Sequence, residues 1–224
     1  MPSYFFDLDG TLTDSRAGLI DSFRSGLEAA GAPALPDRAL HTYLGTPLPD
    51  LFAAACPGIT AAGIEAAIAS FRRHYEAEGI FHNTLYPGVR EMLATLRAEG
   101  HLAWVVTSKP EPQAVRVASL LGIDHLLHGI VGASLAETDT KAELLARALA
   151  GSGARAADSF MLGDRHYDVH GALENGVTPV GALWGYGTRK ELRAAGCTLF
   201  ALSAADFTSR FVLPPSARLR TATA

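Results

Sequence analysis

A chain of 224 residues is long enough for one large α/β domain, or for a core domain carrying a smaller insertion. Hydrophobic residues at 48 % and charged residues at only 19 % place it among globular proteins rather than disordered ones. A net charge of −4 offers no basic footprint for nucleic acid, and no apolar run approaches the ~20 residues of a membrane span. Cys56 and Cys197 lie far apart with no CxxC spacing, which points to a reducing compartment and away from zinc. With no signal-peptide pattern at the N-terminus, the expectation is a soluble cytoplasmic protein, monomeric or homodimeric, without nucleic-acid or membrane partners.

In chain order, residues 3–8 read as a short apolar strand. Leu19, Ile20, Phe23 and Leu27 then recur at helical spacing until Gly31. Five prolines between Pro33 and Pro57 separate short apolar segments. Ile64, Ile68, Phe71 and Tyr75 mark another helix that ends near Gly79. Residues 15–82 are therefore predicted to be helical throughout. From Leu85 the pattern alternates: a helix over 88–99, a buried strand over 102–108, a helix over 110–121 and a strand over 129–133. A helix over 140–150, a strand over 159–164, a helix over 166–175 and a strand over 178–184 follow. A further helix, a weak strand at 198–201 and a terminal helix complete the series. Strands alternating with helices imply βαβ units. The predicted fold is α/β: a doubly wound, mostly parallel, Rossmann-like sheet (1–14 and 83–213) interrupted after its first strand by a helical insert (15–82). The tail from Pro214 to Ala224 has little to bury and is predicted to be disordered.

Ligands of such sheets bind at the carboxyl ends of the strands. The first strand runs into Asp7-Leu8-Asp9-Gly10-Thr11. The second ends in Thr107-Ser108, where Ser108 and Glu111 have capping-box spacing and would leave backbone N–H groups free for an anion. The strand at 159–164 ends in Gly163-Asp164, with Asp168 one helical turn on; Lys141 opens a helix whose start has its own capping spacing, Thr140 to Glu143. Four carboxylates, one lysine and a hydroxyl thus converge. Acids gathered in one place repel unless a cation sits among them, and hard oxygen donors favour Mg²⁺ over zinc. Such a site suits a phosphoryl group. Side chains at i and i+2 of a strand share a face, so one of Asp7 and Asp9 could attack phosphorus while the other protonates the leaving oxygen and later activates water. Gly10 permits a tight exit from the strand.

FFDLDGT (5–11), VVTS (105–108), Lys141 and GDRHYD (163–168), in this order, resemble the four motifs of the haloacid dehalogenase superfamily. The helical insert resembles the small cap of its phosphoglycolate phosphatase-like branch, as do LYPGV (85–89) and LWGYGTRKEL (183–192). The resemblance implies Asp7 as nucleophile, Asp9 as general acid/base and Lys141 as the cation that neutralises charge on Asp7 and the phosphoryl oxygens. It implies Gly10, Thr107, the Ser108 amide and Lys141 around the phosphate. Mg²⁺ would be held by Asp7, the Asp9 carbonyl and Asp164, with Asp168 acting directly or through water. The activity implied is hydrolysis of a small phosphorylated metabolite, phosphoglycolate-like or a nucleoside 5′-monophosphate. A phosphomutase of the β-phosphoglucomutase type and a non-catalytic phosphometabolite-binding module are the alternatives. Two loops stay open at this point. Tyr43–Pro47 is either the substrate-facing cap loop or a plain helix connection. Gly185-Tyr186-Gly187 either shapes the approach to a helix capped by Thr188 and Glu191 or rims the site.

Overall fold

A computed structural model of the protein describes residues 2–135 and 138–213. The predicted disordered tail, 214–224, lies outside the described residues. The first strand, β1 (Ser3–Phe6), leads into β2 (Thr13–Asp14), which forms a two-stranded ribbon with β3 (Thr84–Leu85). Between β2 and β3 lie four α-helices: α1 (Arg16–Ala29), α2 (Asp37–Leu40), α3 (Leu48–Ala55) and α4 (Ala61–Ala77). Strands and helices then alternate: α5 (Val89–Ala98), β4 (Leu102–Pro110), α6 (Glu111–Leu120), β5 (Gly129–Ala133), α7 (Lys141–Ser152) and β6 (Ser159–Gly163). The series closes with α8 (His166–Glu174), β7 (Thr178–Ala182), α9 (Arg189–Ala194), β8 (Leu199–Ala201) and α10 (Ala204–Phe207). Among the described residues two compact units result: residues 2–12 together with those from 85 to 213, and Thr13–Thr84.

In the first unit the six sheet strands lie in the order β5-β4-β1-β6-β7-β8, and every neighbouring pair is parallel. This is the α/β, doubly wound architecture that the alternation of elements predicts. All four β1 residues are buried, because a strand covered on both faces reads as a continuous apolar run. Phe5 joins Val106 and Met161 beneath Leu144, Leu145 and Ala148 of α7 and Ala172 of α8. Tyr4 and Phe6 point the other way, as alternate strand residues must, and both rings meet Phe207 of α10 edge-on at 6.0 Å. Helices thus cover both faces of the strand that precedes the acidic segment.

The second unit is helical between its ribbon strands. Phe23 of α1 stacks on Phe52 of α3 at 5.0 Å, and Phe52 meets Phe71 of α4 edge-on. Gly26 allows this approach: a Cβ there would lie 2.3 Å from the Phe52 ring. The turn containing Tyr43, Leu44, Gly45 and Thr46 borders an apolar pocket of about 60 Å³, which Leu19 and Phe23 also line. Among the described residues, no helix is long and apolar enough to cross a membrane.

Candidate active site

Strand order reverses at β1: the chain builds outward through β4 and β5 on one side and through β6, β7 and β8 on the other. Loops leaving the strands beside such a reversal part in opposite directions and open a crevice at the carboxyl edge. Asp7 leaves β1 there, Thr107 lies in β4, and Asp164 follows β6. Lys141 is the first residue of α7, and Asp168 sits in the first turn of α8. The start of α7 is held by a full capping box: Thr140 Oγ1 accepts from the Glu143 N–H, and the Glu143 carboxylate accepts from the Thr140 N–H.

Lys141 is the hub. Its Nζ donates to Asp7 Oδ1 at 2.8 Å and to the Val106 carbonyl at 3.1 Å, and it lies 2.9 Å from Asp168 Oδ1. Burial alone would lower its pKa, but Asp168 and Asp7 outweigh that and hold it charged, above the ordinary lysine value. Carboxylate oxygens of Asp7, Asp164 and Asp168 lie within 4.8 Å of one another, and all three residues are buried. Burial raises Asp7 to about 6 even though Lys141 pulls it down. Burial, with Asp7 and Asp168 adding repulsion, raises Asp164 to about 7. Asp9 is paired separately, its Oδ2 accepting from Lys109 Nζ at 2.5 Å. Four carboxylates thus face two ammonium groups, which leaves two negative charges over. A buried, oxygen-only donor set with that charge surplus fits one hard divalent cation.

Asp164 is held from two sides. Its Oδ1 accepts from Thr11 Oγ1 at 3.1 Å, and its Oδ2 accepts from the Tyr186 N–H at 2.6 Å. Trp184 Nε1 donates to the Thr11 carbonyl at 2.9 Å, so residues 184–186 bind both the β1 turn and Asp164. Only glycine fits in this wrap. A Cβ on Gly185 would lie 2.3 Å from Asp164 Cβ, and one on Gly187 would lie 1.9 Å from the Asp164 carbonyl. At Gly10 the φ of +89° adds backbone strain for any other residue, and Asp164 Oδ2 lies 2.6 Å from where a Cβ would stand.

A family model described as haloacid dehalogenase-like hydrolase matches residues 4–182. The chain belongs to the haloacid dehalogenase-like hydrolases. It is 41 % identical to the tyrosine-protein kinase PtkA of Mycobacterium tuberculosis over 81 % of this chain, and spans only 62 % of that relative's length. It is 36 % identical to the 5′-nucleotidase of Pseudomonas aeruginosa, over 86 % of this chain and 87 % of the relative. Among solved structures, a predicted phosphatase from Clostridium acetobutylicum superposes with a TM-score of 0.88 at 30 % identity, covering 94 % of this chain and 98 % of the other.

Two expectations from sequence need correction in this chain. The first strand stops at Phe6, not at residue 8, so Asp7 and Asp9 do not share a strand face. The backbone turns instead: the N–H groups of Thr11 and Leu12 both donate to the Leu8 carbonyl, at 3.2 and 2.9 Å. The turn sends the two carboxylates to two different lysines, Asp7 to Lys141 and Asp9 to Lys109. Second, Ser108 and Glu111 form no capping box. β4 runs on to Pro110, Ser108 is exposed, and α6 starts without a side-chain cap. Glu111 turns to β5 and accepts from the Gly132 N–H at 3.1 Å.

Asp7, Lys141, Asp164 and Asp168 come together as one cluster, with Asp9 on the turn that leaves it and Gly10 against Asp164. Thr107 is buried on the strand beside β1, and its Oγ1 accepts from the Lys109 N–H at 3.2 Å. Sequence reasoning missed Lys109, Thr11 and Trp184. Lys109 had one available signal: it follows the strand-end hydroxyls directly. Thr188 does cap α9 by accepting from Glu191 N–H at 3.1 Å, while the Glu191 carboxylate accepts from Arg165 Nε and the His166 N–H. Those hydrogen bonds overcome the upward push of burial and hold Glu191 down at about 2. His166 is thereby engaged with a structural carboxylate, its Nδ1 2.8 Å from Glu191 Oε1.

Proposed function

We propose that this protein is a Mg²⁺-dependent phosphatase that cleaves a small phosphate monoester through an aspartyl-phosphate on Asp7. The observation that carries the reading is the division of labour between Asp7 and Asp9. Asp7 sits buried against Lys141, while Asp9, two residues on, is turned to a separate ammonium with one oxygen left over. Asp7 oxygen attacks phosphorus, the ester P–O bond breaks, and Asp9 delivers a proton to the departing oxygen. Asp9 then takes a proton from water as the water oxygen attacks phosphorus. Free phosphate leaves and the Asp7 carboxylate is restored. Lys141 offsets the charge that accumulates around Asp7, and Gly10, Thr107 and the Ser108 amide would bind phosphoryl oxygens.

Asp7, the Asp9 carbonyl, Asp164 and Asp168 would hold Mg²⁺, with Asp168 acting directly or through water. Bound there, the ion supplies positive charge that lets a phosphate dianion approach a carboxylate. The Thr13–Thr84 unit would serve as the cap that selects the leaving group and excludes water during ester cleavage. A small phosphorylated metabolite in the cytoplasm is the substrate, and the likeness to a 5′-nucleotidase favours a nucleoside 5′-monophosphate over a phosphoglycolate-like acid.

The test is phosphate release with Mg²⁺ across nucleoside 5′-monophosphates, phosphoglycolate and sugar phosphates. One of them should be turned over with kcat/KM above roughly 10⁴ M⁻¹s⁻¹. Asp7→Asn should lose on the order of 10³-fold or more, and retained turnover in that variant defeats the mechanism. A second reading draws on the likeness to the relative named tyrosine-protein kinase: phosphoryl transfer to a tyrosine hydroxyl. Phosphotyrosine formed from ATP, with no free phosphate from any monoester, would select it.

A further inference from the structure

We propose that Lys109 is a positioning residue for Asp9, setting which carboxylate oxygen faces the leaving group. The inference rests on the phosphatase reading and deepens it. Lys109 lies near the end of β4, where the pairing with β5 shifts register between Thr107 and Pro110. That irregularity is tied down by the Lys109 N–H, which donates to Thr107 Oγ1 at 3.2 Å. The side chain is only 5 % exposed, and a lysine buried to that degree is costly unless its charge is met. It is met by Asp9 Oδ2 at 2.5 Å, a charge-assisted hydrogen bond across 100 residues of chain.

The other oxygen of Asp9 completes the argument. Oδ1 is buried and has no hydrogen-bond partner. A buried carboxylate oxygen is seldom left in that condition, and a catalytic role is one reason a protein keeps one. With Oδ2 anchored, rotation of the carboxylate is restricted and Oδ1 becomes the oxygen that carries the proton to the departing ester oxygen. Lys141 secures Asp7 in the corresponding way, so each acid has its own ammonium. Lys109 acts through Asp9 and need not touch phosphate.

This role has a readout that a purely structural lysine, or a phosphate ligand, would not move. Proton delivery matters most when the leaving oxygen is strongly basic. The full chain with Mg²⁺ is assayed on p-nitrophenyl phosphate and phenyl phosphate, which share a phosphoryl group and nearly a shape but differ in leaving-group basicity. In Lys109→Met, kcat/KM for phenyl phosphate should fall about tenfold more than for p-nitrophenyl phosphate, a fraction of the ~10²–10⁴ that general acid catalysis contributes. In an Asp9→Ala background the same substitution should cost less than about threefold on phenyl phosphate, because its effect passes through Asp9. Equal losses on the two esters, no loss on either, or an undiminished loss without Asp9 each overturn the proposal. If Lys109→Met does not fold, Lys109→Gln is read in the same way. Wild-type protein that releases phosphate from neither ester, nor from any nucleoside 5′-monophosphate, phosphoglycolate or sugar phosphate, removes the phosphatase reading itself, and the inference with it. Wild-type activity with equal losses removes the inference alone.

Discussion

Replacing Lys141 by methionine keeps most of the side-chain volume and removes one charge. In the native site that ammonium lies 2.8 Å from Asp7 and 2.9 Å from Asp168, with all three side chains at least 89 % buried. Removing one partner of a buried pair costs roughly 3–5 kcal/mol, because the remaining charge is left uncompensated. A domain of this size has about 5–15 kcal/mol of stability in total, so the loss is a large share. It should also depend on pH. Asp7 in the folded protein has a pKa of about 6, above its ordinary 3.8, so its ionisation costs stability as pH rises from about 4 through 6. Lys141 limits that cost, and without it the cost at neutral pH grows. Below pH 5 Asp7 is mostly protonated and asks less of its partner. Urea unfolding in EDTA should therefore show the variant about 3–5 kcal/mol less stable than wild type at pH 7.5, with a smaller gap at pH 5. A variant as stable as wild type at pH 7.5, or a gap that does not change with pH, would refute this account of the cluster.

Two further outcomes follow from the same site. Gly187→Ala places a methyl group 1.9 Å from the Asp164 carbonyl, so the 184–187 loop must shift and the Tyr186 N–H to Asp164 bond is lost. Isothermal titration should show Mg²⁺ affinity reduced by about 10–100-fold, the range for a lost supporting contact at a metal site. In wild type, burial and neighbouring carboxylates raise Asp164 to about 7, so ionising it between about pH 4 and 7 destabilises the metal-free protein. Added Mg²⁺ should raise the Tm more at pH 8 than at pH 5, and Asp164→Asn should remove most of that difference.

Much of this architecture is legible in one dimension because local chemistry and distant packing agree. A continuously apolar strand before two acids, a Thr-x-x-Glu box before an apolar helix, and glycines at the turns each specify their own conformation. The Thr140–Glu143 box shows how far that goes: cap, helix start and Lys141 all stand where the local pattern puts them. The same pattern at Ser108–Glu111 fails, since capping is decided by competition. There β4 continues to Pro110, and Glu111 finds the Gly132 N–H, twenty-one residues on, instead of its own helix.

What sequence by itself determined was the order of strands and helices and the presence of four acids and Lys141 on the segments that follow successive strands, because hydrophobic period and turn chemistry are local properties. Tertiary structure alone decided how those groups share charge. The turn after Phe6 sends Asp7 and Asp9 to different ammonium groups, and a second lysine reaches the site from β4. The 184–187 loop closes on Asp164 with backbone donors that no side-chain pattern encodes. Electrostatic partners are chosen by distance in space and by burial, and residues 100 or 134 apart in the chain have no local signal to announce that they will meet.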